Sequence, residues 1–505
     1  MAAAETQTAR TYGNWRRPST AGLGTLGLLA TFVLFGGLIA IIVAMMVGGW
    51  QVALPLGAAV LLAVIVLAFR DRHGMSPAQR LAVRLGWWRT RRLGSHLYRS
   101  GPLGRVPWGT AQLPGLAAAS RLSEHTDSYG RPFGLLYVPA TGHYTIVIST
   151  EPDGAALVDT GDVDQWVAQW GVWLAALGDE PGLVGASVTV ESAPDSGYRL
   201  RHEVSSNLDP NAPAIAQAML REVAETWPLG SATIRAWVAL TFTASPRPGG
   251  RRRSADDMGR ELAARVPGLT QLLSATGAGI CRPVSAKSLC EVVRVAYDPP
   301  AERLLDQARD AGEEHDLRWS DVGPSAAQAG WDYYRHDGSV SVSWSMTSAP
   351  RGVVQSSVLA RLIGPHAGIA RKRVTMLYRP VDPGTAARLV EADKRNADVR
   401  ASGARPSARA AVDKRIADIV AVEEAAGAGL VNFGMILTAT VEDGPELETR
   451  IQDAKAAIDN LTATARLTLR PVYGSQDSAF AAALPLGLIL PAHLSMPTFV
   501  REAAR

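Results

Sequence analysis

Lysine is scarce in this sequence. Of 51 basic residues only Lys287, Lys372, Lys394, Lys414 and Lys455 are lysine, and none of them follows a glycine. A P-loop needs G-x-x-x-x-G-K-[ST], so that backbone amides and the lysine can cradle phosphates; a conventional Walker A site is therefore excluded. Cysteine is scarcer still. Cys281 and Cys290 have eight residues between them, too sparse for a disulfide framework and too far apart for a zinc knuckle, so two reduced thiols are expected. The nine histidines form no HExxH or H-x₃-H pair. Glu314-His315-Asp316 reads as a solvated turn, because adjacent residues cannot all face one metal. Glu423 and Glu424 diverge by about 100° on a helix, which excludes a catalytic dyad. Gly22, Gly24 and Gly27 fit G-x-G-x-x-G, but they open an apolar run and follow no strand. No catalytic, metal or cofactor residue emerges, and no enzyme is expected.

Charge is missing altogether from residues 20–69. Thr20–Trp50 and Gln51–Phe69 can each supply the roughly 20 apolar residues that cross a bilayer core. Spans at 20–49 and 51–69 joined at Gly48-Gly49-Trp50-Gln51 make a hairpin, with both flanks on one side. Residues 1–19 carry a net +2 and residues 70–105 a net +8, so both flanks and both termini are placed in the cytoplasm. The apolar stretches are too long for a cleavable signal peptide. Pro77–Leu93 follows as a basic amphipathic helix in which Arg80, Arg84 and Arg91 share one face. With Trp87 and Trp88 these arginines are candidate contacts to anionic lipid.

The remaining residues, 106–505, carry a net −6 against +4 for the whole chain. The pI of 9.1 is thus a property of the membrane flank, and no direct nucleic-acid binding is expected. With 47% hydrophobic and 19% charged residues the chain has ample core material, and a disordered protein is excluded. A mean hydropathy of +0.04 suits a short membrane part joined to a large aqueous part.

Beyond residue 106 β-rich runs alternate with helical ones. Strands are predicted at 134–138, 144–149, 186–191 and 234–244, and helices at 164–177, 213–227 and 254–275. Trp166, Trp170, Trp173, Leu174 and Leu177 form one helical stripe, read as core. Punctuation by Pro299, Pro300, Gly312, Gly323 and Gly330 places a linker at 301–330. The second half repeats the rhythm, with strands at 339–346, 373–378, 430–441 and 465–472 and helices after Pro383, at 407–426 and at 446–461. The expected fold class is α+β: a two-helix transmembrane hairpin, a basic juxtamembrane segment at 70–105, and two cytoplasmic α+β domains at 106–300 and 331–505 with mixed or antiparallel sheets. No short fixed-period repeat is visible.

Three stretches carry a family resemblance: RRLGSHLY…GRVPWGTAQLPGLAAASRL, then VTMLYRPVDPGTAARLVEADKRNAD, then GLVNFGMILTATV…LTLRPVYGSQDSAFAAALPLG. Together they resemble actinobacterial conjugation-associated membrane proteins encoded in integrative elements. The last third is similar to the pre-motor region of VirB-type conjugation ATPases, and the hairpin is similar to a small VirB-type inner-membrane subunit. The ATPase motor that follows Leu-Pro-Leu-Gly in those relatives is not expected here. The resemblance implies a non-catalytic inner-membrane scaffold of a type IV-like secretion system that docks a separately encoded ATPase beside other inner-membrane subunits. A homo-oligomer is compatible with it. Phe480, Leu484, Pro485, Leu486 and Gly487, with the apolar tail as far as Met496 and Phe499, are the implied docking residues. The alternative resemblance is to the EccE membrane subunit of type VII secretion.

Overall fold

The computed structural model describes residues 12–13, 15, 28–69, 71, 73–104, 110–152, 154, 158–195, 197–226, 232–245, 251–313, 315–350, 352–366, 368–402 and 407–494. Helix α1 spans Leu28–Ala68. Its stretch Ala30–Ala68 is long and apolar enough to cross a membrane, and only 6% of its most apolar window is buried. At 1.5 Å per residue a continuous helix of this length would measure about 60 Å, twice a bilayer core. Its dihedrals leave the helical range at Gly49, with φ 65° and ψ −167°. Where two spans are expected at 20–49 and 51–69, there is thus one helical run with an internal break; residues 20–27 lie outside the described ones. Helix α2, Pro77–Arg92, follows.

The body begins with β1 (Leu97–Arg99), β2 (Arg121–Thr126), β3 (Pro132–Val138), β4 (His143–Glu151), α3 (Thr160–Asp179) and β5 (Leu183–Pro194). It continues with α4 (Tyr198–Asn207), α5 (Ala214–Thr226), β6 (Ala232–Thr243), α6 (Ala255–Leu273), β7 (Ile280–Pro283), α7 (Ala286–Tyr297) and α8 (Ala301–Asp310). Then come β8 (Ala326–Ala329), β9 (Tyr334–His336), β10 (Ser339–Ser348), α9 (Ala360–Ile363), β11 (Arg371–Pro380), α10 (Pro383–Ala401) and α11 (Ala408–Ala425). The series ends with β12 (Val431–Glu442), α12 (Leu447–Thr464), β13 (Thr468–Pro471) and α13 (Gln476–Ala482). The expected linker, 301–330, carries α8, β8 and the buried Val322. Trp319 Nε1 also donates to Ser120 Oγ at 3.0 Å across it.

All the strands join one antiparallel sheet of order β1-β8-β9-β10-β12-β11-β5-β6-β4-β3-β2, with β13 on β10 and β7 on β4. The expected domains at 106–300 and 331–505 therefore share a sheet, welded where β5 pairs with β11. The order is nearly palindromic. Five strands of the first half, β2-β3-β4-β6-β5, meet five of the second, β11-β12-β10-β9-β8, in mirrored sequence. The short partners match too: Ser149 faces Arg282 as Ser345 faces Arg470. Each arginine opens the same tripeptide, Arg282-Pro283-Val284 and Arg470-Pro471-Val472.

Successive strand residues point to opposite faces. One face carries Ile146, Ile148, Val238, Leu240 and Phe242 against α3 and α6. The same face in the second half carries Val342, Trp344, Leu437 and Ala439 against α9 and α12. Trp173 and Leu177 of the tryptophan stripe are buried here, and Trp170 stacks on Trp173 at 4.6 Å.

The opposite face is lined with buried hydroxyls, and residues 476–488 lie across it. Buried carbonyls need donors, and the hydroxyls supply them. Thr375 Oγ1 donates to Ala483 O at 2.8 Å, and Thr241 Oγ1 donates to Gly487 O at 2.9 Å. Behind these, Thr189 and Thr145 lie 3.1 Å from Thr375 and Thr241 respectively. Gln476 brackets Ser343, accepting from its N–H at 2.8 Å and donating to its carbonyl at 3.2 Å. Gly487 has φ +62°, and a Cβ there would stand 2.1 Å from Thr241 Oγ1.

Glu191 sits on the same face at the β5/β11 seam, opposite Arg373. Its carboxylate accepts from Arg373 Nη2 at 2.6 Å and Nε at 2.9 Å, and from Arg371 Nη1. Arg371 also reaches Glu302, which pairs with Arg235 at 2.7 Å. Burial by itself would raise the Glu191 pKa, but Arg371 and Arg373 outweigh it and hold the group at about 2, against 4.5 for an ordinary glutamate. A depressed carboxylate contributes stability in full above the unfolded value and loses it as pH falls toward the folded one. Glu191→Gln should therefore cost about 3–5 kcal/mol at neutral pH, because it strands buried arginines. It should also flatten the loss of stability between pH 4.5 and 2. Thermal melts of the full chain in detergent across that range check both, and parallel acid limbs would remove Glu191 from the account. In the same assay Gly487→Ala should cost more than about 2 kcal/mol, from left-handed strain plus overlap. Gly130→Ala, with φ +79° but open space around it, should incur the strain alone.

Candidate membrane-surface site

Helix α2 starts where Ser76 and Gln79 form a reciprocal capping box, with Pro77 at the first helical position. Gln79 N donates to Ser76 Oγ at 3.2 Å, and Ser76 N donates to Gln79 Oε1 at 3.0 Å. Arg89, Arg91 and Arg92 occupy the last turn, where cations offset the helix dipole.

Its sixteen residues sort into three rows. Leu81, Leu85 and Trp88 point away from the body and are 58%, 57% and 57% exposed. Arg92 stacks over Trp88 at 4.8 Å. Val83, Trp87 and Thr90 are half-buried on the body side. Arg80, Arg84 and Arg91 run between these rows, as their spacing dictates. An outward apolar row bordered by arginines is costly in water and suited to the headgroup boundary of a bilayer. Not all the candidate lipid contacts are equal, however. Arg80 is ion-paired to Asp71, whereas Arg84 and Arg91 have no carboxylate partner among the described residues.

Trp87 faces the body. Its ring lies 6.1 Å from Trp331 at 57° and 6.1 Å from His96 at 72°. Trp331 stacks on Tyr473 at 5.5 Å, and Arg470 Cζ lies 5.5 Å over that tyrosine. Trp87, Arg91, His96, Gly330, Trp331 and Tyr333 line an open cavity of about 210 Å³. Backbone bonds fix its walls: Ala329 N donates to His96 O at 2.9 Å, Gly330 N to Tyr333 O at 2.8 Å, and Gly474 N to Trp331 O at 2.7 Å. The sequence reading took Trp87 as a lipid contact and missed His96, Trp331 and Tyr333. The aromatic run Trp331-Asp332-Tyr333-Tyr334 was the available signal.

The other predicted site is placed elsewhere. Phe480, Leu484 and Leu486 are fully buried, Pro485 and Gly487 are buried, and they lie in a layer to which both halves of the chain contribute. Residues read as a docking surface are core, held by the threonine hydroxyls and by Phe480's contacts with Tyr297, Tyr334 and His336. A partner could touch them only by unseating them. Met496 and Phe499 lie outside the described residues.

A serine–histidine contact that sequence reading missed is also internal. Ser341 Oγ lies 2.8 Å from His336 Nε2, while His336 Nδ1 lies 2.6 Å from the Tyr297 carbonyl. The carbonyl can only accept, so Nδ1 carries the proton and Ser341 donates to Nε2. Burial is the main cause that pushes the His336 pKa down to about 4. Both side chains are fully buried, so the pair is a structural bridge and no substrate reaches it. Cys281 and Cys290 are free thiols, and burial pushes Cys290 up to about 12. His315 bonds Glu291 at 2.7 Å and Asp316 pairs with Arg318 at 2.8 Å; Glu314 lies outside the described residues. Among the described residues no group of three His, Cys, Asp or Glu is placed to hold a metal.

The family model described as Domain of unknown function (DUF8461) matches residues 19–79, the apolar run and its approach to α2. No curated protein matches the chain.

If α2 rests on the bilayer surface, anionic lipid should slow its hydrogen exchange. In nanodiscs, replacing phosphatidylcholine by phosphatidylglycerol should protect residues 77–92 of the full chain. Raising salt well above 0.15 M, where the Debye length is about 8 Å, should reverse it. The double variant Arg84→Glu/Arg89→Glu should show neither effect. Protection that ignores lipid charge would assign α2 to the body.

Proposed function

We propose that the chain is a membrane-anchored, non-catalytic scaffold of a conjugative, type IV-like secretion assembly, standing on the cytoplasmic side of the inner membrane and recruiting a separate ATPase. The observation that carries the anchoring is the 39-residue apolar run Ala30–Ala68, whose most apolar window is only 6% buried. Exposed apolar surface of that extent suits a lipid environment.

In this reading the run crosses the bilayer twice, as a hairpin turning at Gly49. Two observations support it. Val60 Cγ1 stands 2.3 Å from where a Cβ on Gly37 would lie, although a continuous helix would separate residues 37 and 60 by about 34 Å. Both flanks also touch the body. Before the run, Tyr12 exchanges two 2.8 Å backbone bonds with Val354, and Trp15 packs on Phe433 at 5.7 Å; after it, Trp87 packs on Trp331.

The scaffold role rests on the resemblance to conjugation-associated proteins and on the lack of a Gly-Lys-[Ser/Thr] loop in the sequence. With the Leu-Pro-Leu-Gly segment buried, the recruiting surface in this reading is the pair of helical hairpins α4–α5 and α10–α11. Ile215, Met219, Leu220 and Val223 form an exposed apolar row on α5, and Leu389, Val399, Val412 and Val422 are exposed on the other hairpin. The second hairpin is braced by Lys414–Asp398 at 2.9 Å and Lys394–Asp418 at 3.7 Å. An intact chain tagged at its C-terminus should co-purify a P-loop ATPase from its host's membranes, and Met219→Asp/Val422→Asp should lose it while remaining membrane-bound. Activity reporters at Met1 and Arg505 should read cytoplasmic and one inserted after Gly49 external. An external signal from either terminus ends the hairpin reading, and absence of an ATPase ends the recruiting one.

A further inference from the structure

The cavity behind α2 has the makings of a ligand site, and its use rests on the membrane reading above. Arg91 stands at its lip with no carboxylate partner among the described residues, while every acid-paired arginine nearby, such as Arg80, is already engaged. His96 also lines the cavity, with its Nδ1 closed off from solvent. The walls are the rings of Trp87, Trp331 and Tyr333, and a low-dielectric lining strengthens any ion pair formed inside. A second cation, Arg470, lies behind the stacked Tyr473.

We infer that this cavity binds the phosphate-ester anion of a phospholipid headgroup. A guanidinium presents a planar fork that matches two phosphate oxygens, and the rings of Trp87, Trp331 and Tyr333 flank the space beside it. A choline-type cation is disfavoured by Arg91 at the entrance. The source is a lipid because the helix that supplies Trp87 and Arg91 to the cavity also carries the exposed apolar row of Leu81, Leu85 and Trp88. Acyl chains could follow that row into the bilayer while the phosphate turns inward past Trp87. The four remaining α2 arginines act on the surface of the membrane as a diffuse field, whereas Arg91 acts at a shaped site.

The test uses the full chain in neutral detergent, titrated calorimetrically with dihexanoyl phosphatidylglycerol, dihexanoyl phosphatidylcholine and glycerol 1-phosphate. Phosphatidylglycerol should bind, with phosphatidylcholine at least about tenfold weaker and glycerol 1-phosphate weaker than the lipid. Arg91→Gln and Trp331→Leu should each weaken phosphatidylglycerol about tenfold, the scale of one lost charge-assisted contact. Arg91→Lys should fall between, and Arg84→Gln should change binding less than about twofold. Near-UV circular dichroism verifies the fold of Trp331→Leu; if that variant is unfolded, the exposed Arg91→Gln decides. Equal effects of Arg84→Gln and Arg91→Gln, or no effect of either, would overturn the site. Glycerol 1-phosphate binding as tightly as the lipid would replace the lipid by a soluble phosphate ester. Alkaline extraction of the same variants from membranes reads the anchor separately: all should stay in the bilayer, and their release would count against the membrane reading and not against the cavity.

Discussion

The antiparallel pairing of β5 with β11 is the constraint on which the body depends. Each half of the chain builds its own five-strand run, and each run ends in a strand with an unpaired edge until it meets the other. Register at that seam is set by chemistry as well as by backbone bonds. Thr189 lies opposite Thr375, and Glu191 lies opposite Arg373. A slip of one residue would turn the threonines and the carboxylate to the helix-covered face, where Val188, Val374 and Met376 now pack. The acid–base cluster is thus a registry device with a steep penalty for misalignment. Three arginines, Arg235, Arg371 and Arg373, share two glutamates, and Arg371 Nε and Arg373 Nη1 have no partner among the described residues. That excess of buried cation explains why Glu191 stays ionised even though it is wholly removed from water.

Once the seam is in register, the hydroxyl row is continuous across it, and residues 476–488 have somewhere to lie. This segment breaks from helix at Ala483 and must bury carbonyls that no strand partner satisfies. Threonines from both halves, Thr375 and Thr241, donate to it at successive crossings. The same-face neighbours are aliphatic and aromatic, including Leu136, Trp237, Ala239 and Val293. Leu-Pro-Leu-Gly is accordingly a strap with a physical job: the leucines fill the layer, proline ends the preceding turn, and glycine clears Thr241.

Much of this was legible in sequence at the level of single elements. Alternation along β6 and β12 and the 3.6-residue spacing of α6 and α12 located these elements to within a few residues. Of the stripe Trp166, Trp170, Trp173, Leu174 and Leu177 expected in the core, Trp173 and Leu177 are buried and Trp170 and Leu174 pack half-buried against them. Pairing across the seam was not legible, because β5 and β11 are separated by nearly two hundred residues and periodicity carries no information about partners. The short segments around Gly312 and Gly323 resembled a linker because breakers mark loops equally well inside one sheet and between two domains. The mirrored strand order was hidden for a related reason: segments of different length separate the matching strands, so no fixed period survives. The tripeptide Arg282-Pro283-Val284 recurs as Arg470-Pro471-Val472, but also as Arg379-Pro380-Val381 at the end of β11, outside the mirrored pair. The strap was misjudged because an apolar run late in a sequence looks exposed until the acceptor layer beneath it is known. Of the membrane-surface site, the arginine rows were readable on one helix, but the cavity wall came from residues more than two hundred positions away.

The strap has a bearing on the order in which the molecule can be made. Strands β2 to β7 leave the ribosome long before residues 480–488 do, yet their layer under α7 is filled by Phe480, Leu484, Leu486 and Leu488. Until those residues emerge, the nascent first half holds an unfilled trough of threonines and aliphatics beside an unmatched Glu191. In the membrane reading proposed above, the apolar run is synthesised earlier still and would hold this half-built body at the bilayer. Such tethering would keep neighbouring nascent chains apart during that wait.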